Sequence, residues 1–157
     1  MKKIVFLDVD GVLNNDGTEE KAPSGYLGVS DELIERLGRI VQSQNAEVAL
    51  SSDWRLSEND PKDCGDYLYL KRKLEAFGIR ISGGTPDIRA SRRGQEIRAY
   101  LDALNEEAEW VVLDDVYFSD FDRFGITERL VLTDGADGLT EKDVSKAVGI
   151  LNGRRSE

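Results

Sequence analysis

Two pairs of aspartates are the side chains whose type and spacing could carry chemistry. Asp8 and Asp10 follow one short apolar run, and Asp114 and Asp115 follow another. Four carboxylates brought together repel one another and raise each other's pKa, so a hard cation is needed to stabilise the cluster at neutral pH. Mg²⁺ fits best, because it accepts a few carboxylates, keeps several waters and can bind a phosphate oxygen. A structural Ca²⁺ site is the competing interpretation, but the EF-hand ligand spacing is absent from the sequence.

The elements that must position these aspartates are buried strands. The run 4–7 is rich in branched side chains and is followed closely by Gly11, which is typical of a strand buried on both faces. Ligands of open α/β sheets bind at the carboxyl ends of such strands. If the strand continued, Asp8 and Asp10 would share one face, and Gly11 would let the chain turn away after them. The alternative is an ordinary strand followed by an acidic turn.

These residues resemble the motifs of the haloacid dehalogenase (HAD) superfamily, whose hydrolases form an aspartyl-phosphate. The first motif is matched by residues 8–12 (DVDGV), the second by residues 48–51 (VALS) and the fourth by residues 112–115 (VLDD). The third motif is a Lys or Arg near the start of a helix ahead of the fourth. Arg92 and Arg93 stand in that place, and the sequence does not choose between them.

The resemblance implies a role for each site residue. Asp8 would be the nucleophile, and Asp10 would protonate the leaving oxygen and then deprotonate water. Ser51 would hold the phosphoryl oxygens together with the third-motif arginine, Arg93 or Arg92. Mg²⁺ would be bound by Asp8, the backbone carbonyl of Asp10, Asp114 and, through water, Asp115.

A narrower resemblance concerns small HAD domains found in or beside RNA-repair proteins, related in plan to polynucleotide 3′-phosphatases. It is carried by residues 50–55 (LSSDWR), 93–97 (RGQEI), 132–134 (LTD) and 138–140 (GLT). Those phosphatases place an arginine shortly after the second-motif serine, so the resemblance implies that Arg55 binds phosphate.

Large insertions that would cover the site have no room in this chain. The segment 14–29 could supply at most a small flap, so we expect a capless HAD enzyme. The superfamily uses such open sites for large substrates, which favours a phosphorylated nucleic-acid end as substrate. A small phosphomonoester such as a nucleotide is the alternative, and a non-catalytic phosphate- or metal-binding module is a third possibility.

Composition and charge narrow the function classes. The 157 residues are 39% hydrophobic and 33% charged, which indicates one domain, expected over residues 1–153 with a frayed tail at 154–157. The absence of histidine excludes Ser-His and Cys-His catalysis. The single cysteine, the lack of a long apolar stretch and the short N-terminal run predict a cytoplasmic protein with no membrane partner.

The net charge of −10 disfavours tight, autonomous binding to long nucleic acid. It does not exclude a phosphate ester, because a bound metal and nearby arginines can reverse the sign inside a site. Basic residues are dense at four positions that could meet a phosphate or a nucleotide tail. They are Arg89, Arg92, Arg93 and Arg98.

Strand and helix patterns alternate along the chain, which predicts a three-layer, mainly parallel, Rossmann-like α/β fold. Strands are predicted at 47–50, 79–81, around 109–113 and at 129–133, and residues 82–86 are predicted to be a loop. Helices are predicted to begin after caps at Ser30, Ser91 and Thr140, the last with a capping box to Asp143. A further helix, with Tyr67, Leu70, Leu74 and Phe77 on one side, is predicted to end at Gly78.

Overall fold

A parallel five-stranded sheet forms the centre of the molecule. The structure, a computed structural model, describes residues 1–59, 64–88 and 92–155. Within them the strands run in the order β3-β2-β1-β4-β5, and all neighbouring strands are parallel. Their bounds are β1 Lys2–Leu7, β2 Glu47–Leu50, β3 Ile81–Gly84, β4 Ala108–Asp114 and β5 Leu130–Leu132. The predicted mainly parallel, Rossmann-like α/β fold is confirmed.

Helices cover both faces of this sheet. They are α1 Asp31–Gln44, α2 Cys64–Glu75, α3 Arg93–Asp102 and α4 Glu141–Leu151, with short 3-10 helices at Asp53–Asn59 and Thr127–Arg129. Buried side chains of α1, α2 and α4 pack in one apolar cluster, and Ile97 of α3 packs in a second cluster. The three layers therefore enclose two cores, one on each side of the sheet.

Strand β1 lies at the middle of the sheet and is buried on both faces. Its alternate side chains divide between the two cores: Val5 and Leu7 pack in the first, Ile4 and Phe6 in the second. All four are fully buried. The continuous apolar run of the sequence follows from this position, because a strand covered on both sides has no face for polar residues.

The strand order changes direction at β1. The chain moves from β1 through β2 to β3 on one side, then crosses to β4 and β5 on the other. In open α/β sheets, ligands bind in the crevice at such a reversal, outside the carboxyl ends of the strands. The segments that follow β1 and β4 are therefore the ones that line a candidate site.

The third strand differs from its predicted position. The prediction placed a strand at 79–81 and a loop at 82–86, but β3 occupies Ile81–Gly84. Gly78 has a left-handed backbone, and the Ile79 amide donates to Leu74 O, so residue 79 is part of the turn that closes α2 after Glu75. Gly83 and Gly84 indicated a loop. They are in the strand because Tyr100 and Arg55 pack closely against them.

Helix starts were predicted with mixed success. Thr140 and Asp143 form the expected capping box at α4. Ser30 is at the N-cap position of α1, but its side chain makes no capping hydrogen bond. Ser91, the predicted cap of α3, lies outside the described residues, and the N-cap position of α3 is Arg92.

The segment between β1 and α1 forms the small flap that the sequence suggested. Lys21 and Leu27 make an antiparallel bridge, and the Ala22 amide donates to Tyr26 O at 2.8 Å. In the part of the chain that the structure describes, no helix has the length and apolar character needed to cross a membrane.

Candidate active site

Three carboxylates meet at the ends of β1 and β4. The Asp8 amide donates to Leu113 O at 3.0 Å, which aligns the two strand ends. Asp8 and Asp114 are buried and Asp115 is half-buried. One carboxylate oxygen from each of the three lies within 4.8 Å of the others. Strand pairing thus brings together residues that are far apart in the sequence.

Gly11 makes room for this cluster. Its φ of 79° is in the left-handed region, and a side-chain carbon at this position would overlap the Asp115 carboxylate. Thr133, at the end of β5, donates its hydroxyl hydrogen to Gly11 O at 2.8 Å and holds the turn in place. As predicted, Gly11 lets the chain turn away after the aspartates.

The carboxylate cluster is contacted by the positive charge of Arg93, at Asp8 and Asp114. Burial raises the pKa of Asp8 to about 9, and repulsion from Asp114 and Asp115 adds to this, while Arg93 opposes it. Burial also raises the pKa of Asp114, again against the effect of Arg93. Arg93 therefore offsets only part of the effect that burial has on the pKa of these two carboxyl groups. The three hard oxygen donors fit Mg²⁺, which would supply the missing charge.

Arg93 is the arginine of this site. Its Nη1 lies 3.1 Å from Asp8 Oδ1 and 2.8 Å from Asp114 Oδ2. Arg92 is exposed, and its guanidinium donates to Gln95 at 3.2 Å. Arg93 is thus the one of the two arginines that contacts the carboxylates in the described part of the chain, and phosphate binding by Arg92 or Arg93 stays a prediction.

Two residues from the loop after β4 hold Arg93 in place. Asp120 accepts hydrogen bonds from the amides of Gly94 and Gln95, each at 3.0 Å, and so caps the first turn of α3. The Phe118 ring packs against the Arg93 guanidinium, 4.4 Å from ring centroid to Cζ. Sequence reasoning missed both residues, because a cap supplied from another segment of the chain leaves no local spacing pattern.

Ser51 presents an unpartnered hydroxyl. The residue follows β2, next to β1, and its amide donates to Leu7 O at 3.0 Å. Its side chain is fully buried, and its Oγ finds no hydrogen-bond partner among the described residues. A buried hydroxyl without a partner is costly. A phosphoryl oxygen would supply the missing partner, as the predicted role of Ser51 requires.

Asp10 lies beside the carboxylate cluster and is not one of its three members. Strand β1 ends at Leu7, and the exposed Asp10 is on the turn that follows. Its Oδ1 accepts from Asn14 Nδ2 at 2.9 Å, and its Oδ2 accepts from Trp54 Nε1 at 3.2 Å. The expectation that Asp8 and Asp10 share a strand face does not apply, and the two carboxylates have different environments.

Asn14 is a further residue that sequence reasoning missed. It is buried, its Oδ1 accepts from the Gly11 amide, and its Nδ2 donates to Gly28 O as well as to Asp10, all at 2.9 Å. The side chain therefore fixes the turn after β1 and the orientation of Asp10 together. An Asn shortly after an Asp-Gly pair is common in loops, so its type alone gave no signal.

Arg55 has a structural role in place of the predicted phosphate contact. It is 7% exposed, and its Nη2 lies 3.0 Å from Glu96 Oε2 on α3. Its remaining hydrogen bonds go to backbone carbonyl oxygens of Ser51, Ser52, Thr85 and Pro86. A guanidinium group has five N–H donors, and these five acceptors engage them, so we correct the assignment of Arg55.

Among the described residues of the predicted basic cluster, Arg92, Arg93 and Arg98 do not form one patch. Arg93 is in the site, whereas Arg98 donates to Phe124 O at 2.9 Å and packs over Trp110. Arg89 lies outside the described residues. The arginines are separated because α3 turns their side chains in different directions.

Comparison with known families agrees with the fold. The chain belongs to the family described as the HAD domain in Swiss Army Knife RNA repair proteins, whose model matches residues 4–144. No significant match is found among curated protein sequences. The matched range contains the ends of β1, β2 and β4 and the start of α3, so every residue of the carboxylate cluster is within it.

Proposed function

We propose that this protein is a Mg²⁺-dependent phosphomonoester hydrolase that forms an aspartyl-phosphate on Asp8. The observation that carries the proposal is the position of the Asp8 carboxylate, which lies in the cluster with Asp114 and Asp115 and within 3.1 Å of Arg93. The unpartnered Ser51 hydroxyl and the membership of a HAD family support it.

In the first step an Asp8 oxygen attacks phosphorus, and the bond from phosphorus to the leaving oxygen breaks. Asp10 gives its proton to that oxygen, so the product leaves as an alcohol. In the second step a water attacks phosphorus and Asp10 accepts its proton, while the bond from phosphorus to the Asp8 oxygen breaks, which frees inorganic phosphate and regenerates the Asp8 carboxylate. A carboxylate nucleophile thus divides one difficult hydrolysis into two easier displacements.

The other residues of the site would bind the phosphoryl group and Mg²⁺ and orient the carboxylate of Asp10. Arg93 and Ser51 would hold the phosphoryl oxygens, and Asn14 and Trp54 fix the carboxylate of Asp10. Asp8, Asp114 and Asp115, with the backbone carbonyl of Asp10, would hold Mg²⁺. When bound, the ion neutralises the negative charge that otherwise keeps a carboxylate from approaching a phosphate.

A phosphorylated nucleic-acid end is the substrate we propose, because the family is described from RNA repair proteins and the site has a small flap in place of a large cap. A small phosphomonoester is the second candidate, favoured by the net charge of −10. The salt dependence of substrate binding distinguishes the two candidate substrates. Binding of an end through several backbone phosphates weakens steeply as salt rises, whereas binding of one phosphate does not.

Hydrolysis of p-nitrophenyl phosphate, with Mg²⁺ and with EDTA, tests the chemistry. We expect turnover that requires the metal and that Asp8→Asn abolishes. Asp102→Asn, which removes an exposed carboxylate at the end of α3, is the matched control and should retain full activity. No turnover of any phosphate ester by the folded wild type would favour the third possibility, a binding module. Activity retained in Asp8→Asn would contradict the mechanism.

A further inference from the structure

A cavity of about 590 Å³ opens beside Asp10. One side is formed by the flap, which contributes Tyr26 and Leu27, and the other by the start of the 3-10 helix after β2, which contributes Trp54. Tyr26 is 78% exposed although it is a large aromatic residue. A flap that presents an aromatic ring to an open cavity is a surface suited to stacking with another ring.

The cavity is placed where the leaving group of the reaction must be. Asp10 lines it, and Asp10 is the residue proposed to protonate the leaving oxygen. Trp54 lines it as well and donates its indole N–H to the same carboxylate at 3.2 Å. A substrate whose phosphate reaches Asp8 therefore directs its remaining atoms past Asp10 and between Trp54 and the flap.

The negative charge of the residues that line the cavity limits which leaving groups it can bind. Asp53 and Asp66 add two more carboxylates to that of Asp10, and the lining residues that the structure describes include no basic side chain. A second phosphate in the cavity would be repelled. An uncharged aromatic ring with N–H donors at its edge would instead stack on the aromatic residues and donate to the carboxylates.

We infer that this cavity binds the base of the nucleotide whose phosphate is removed. The inference rests on the proposed function and names the part of the substrate that the protein recognises. For a nucleic-acid end, the terminal base occupies the cavity and the rest of the strand stays outside it. For a mononucleotide, the same cavity holds the whole leaving nucleoside.

Tyr26 is the cleanest residue with which to test this. Trp54 also positions Asp10, so its replacement would disturb catalysis directly, whereas Tyr26 lines the cavity and makes no hydrogen bond to Asp8 or Asp10 among the described residues. The probes are adenosine 3′-monophosphate and glycerol 2-phosphate, two phosphate esters of secondary alcohols, of which only the first carries a base. The measured quantity is the ratio of their kcat/KM values with Mg²⁺.

We expect wild type to prefer the nucleotide and Tyr26→Ala to lower the ratio by about 5- to 100-fold, the range for loss of one stacked base. Tyr26→Phe should keep the ratio, since stacking needs the ring and not the hydroxyl. Leu68→Ala, which truncates an exposed side chain of α2 outside the cavity, should also leave it unchanged. Equal turnover of both esters by wild type and by Tyr26→Ala would overturn the inference and leave the proposed function standing.

Binding gives a second readout that does not depend on turnover. The protein has two tryptophans, and Trp110 is buried in the core, so fluorescence quenching by a bound base is expected from Trp54. Adenosine 3′-monophosphate should quench saturably in wild type and about 5- to 100-fold more weakly in Tyr26→Ala. If no phosphate ester is hydrolysed, including p-nitrophenyl phosphate, the proposed function fails, and the quenching experiment still tests whether the cavity binds a base. No quenching in wild type would overturn the inference.

Discussion

The guanidinium of Arg93 packs on the ring of Phe118, with its Cζ 4.4 Å from the ring centroid. This contact joins the start of α3 to the loop that follows β4. The same loop supplies Asp120, which caps α3. The segment after the Asp114-Asp115 pair therefore connects the carboxylate cluster to the side chains that hold Arg93, the arginine that contacts the cluster.

Phe118→Ala should weaken phosphate binding while the chemistry continues. A cation–π contact contributes roughly 0.5–2 kcal/mol, so we expect KM for p-nitrophenyl phosphate to rise by about 2- to 30-fold. Phe118→Tyr keeps the aromatic face and should stay near the wild-type value. Phe118 also packs against Phe121, so unfolding by urea should be measured alongside the kinetics. An unchanged KM in folded Phe118→Ala would show that the ring does not position Arg93.

Loss of the Asp120 cap should reduce stability in graded steps. Each of its two carboxylate oxygens accepts from one amide of α3. Asp120→Ala removes both acceptors and should lower the free energy of unfolding by about 1 kcal/mol, with a range of roughly 0.5–2. Asp120→Asn keeps one carbonyl acceptor and should be intermediate. Urea denaturation measures the order, and equal stability of the three proteins would contradict the capping role.

The metal-free protein should become less stable as pH rises. Folding raises the pKa of Asp8 from 3.8 to about 9, so the folded state favours the protonated carboxyl. The contribution of Asp8 to the free energy of unfolding is complete below about pH 4, where its carboxyl is protonated in both the folded and the unfolded state. This contribution is lost as pH rises toward 9. The Tm measured in EDTA at about pH 5, 7 and 9 should fall more steeply with rising pH for wild type than for Asp8→Asn.

Mg²⁺ should oppose this loss. A ligand that binds the folded state alone raises its stability by mass action, and Mg²⁺ requires the deprotonated carboxylates. We expect the increase in Tm on adding Mg²⁺ to be larger at about pH 8 than at about pH 5, and to be reduced in Asp8→Asn. An increase that is the same at both pH values would place the bound ion away from Asp8.

Arg55 and Glu96 should matter for stability and not for phosphate binding. Both are almost fully buried, so removing one leaves the other charge without its partner. We expect Arg55→Ala to cost about 3–5 kcal/mol, and the apolar pair Arg55→Met with Glu96→Leu to recover much of that loss. Urea unfolding provides the measurement. Wild-type stability with a reduced kcat/KM in Arg55→Ala would instead support the phosphate role predicted from the sequence.

The sequence predicted what is encoded locally. The apolar run before Asp8 indicated a buried strand, and the spacing of Thr140 and Asp143 indicated a capping box, because both patterns involve neighbours in the chain. The sequence did not separate Arg92 from Arg93, since a helix start can present either. Phe118 and Asp120 make that choice from another segment. The prediction of a loop at Gly83 and Gly84 was wrong for a similar reason. Glycine is present at these positions because Tyr100 and Arg55 pack closely against them, and not because the chain turns there.

The order of the strands has a consequence for how this protein matures during synthesis. Asp8 leaves the ribosome before β4 does, but its strand pairs with β4, where Leu7 lies opposite Leu113. Until β4 emerges, a nascent chain holds one carboxylate of the cluster and cannot assemble the cation-binding group. The proposed affinity for Mg²⁺ would therefore appear only once β4 has paired with β1, so that acquisition of the ion would report that the central strands have come together.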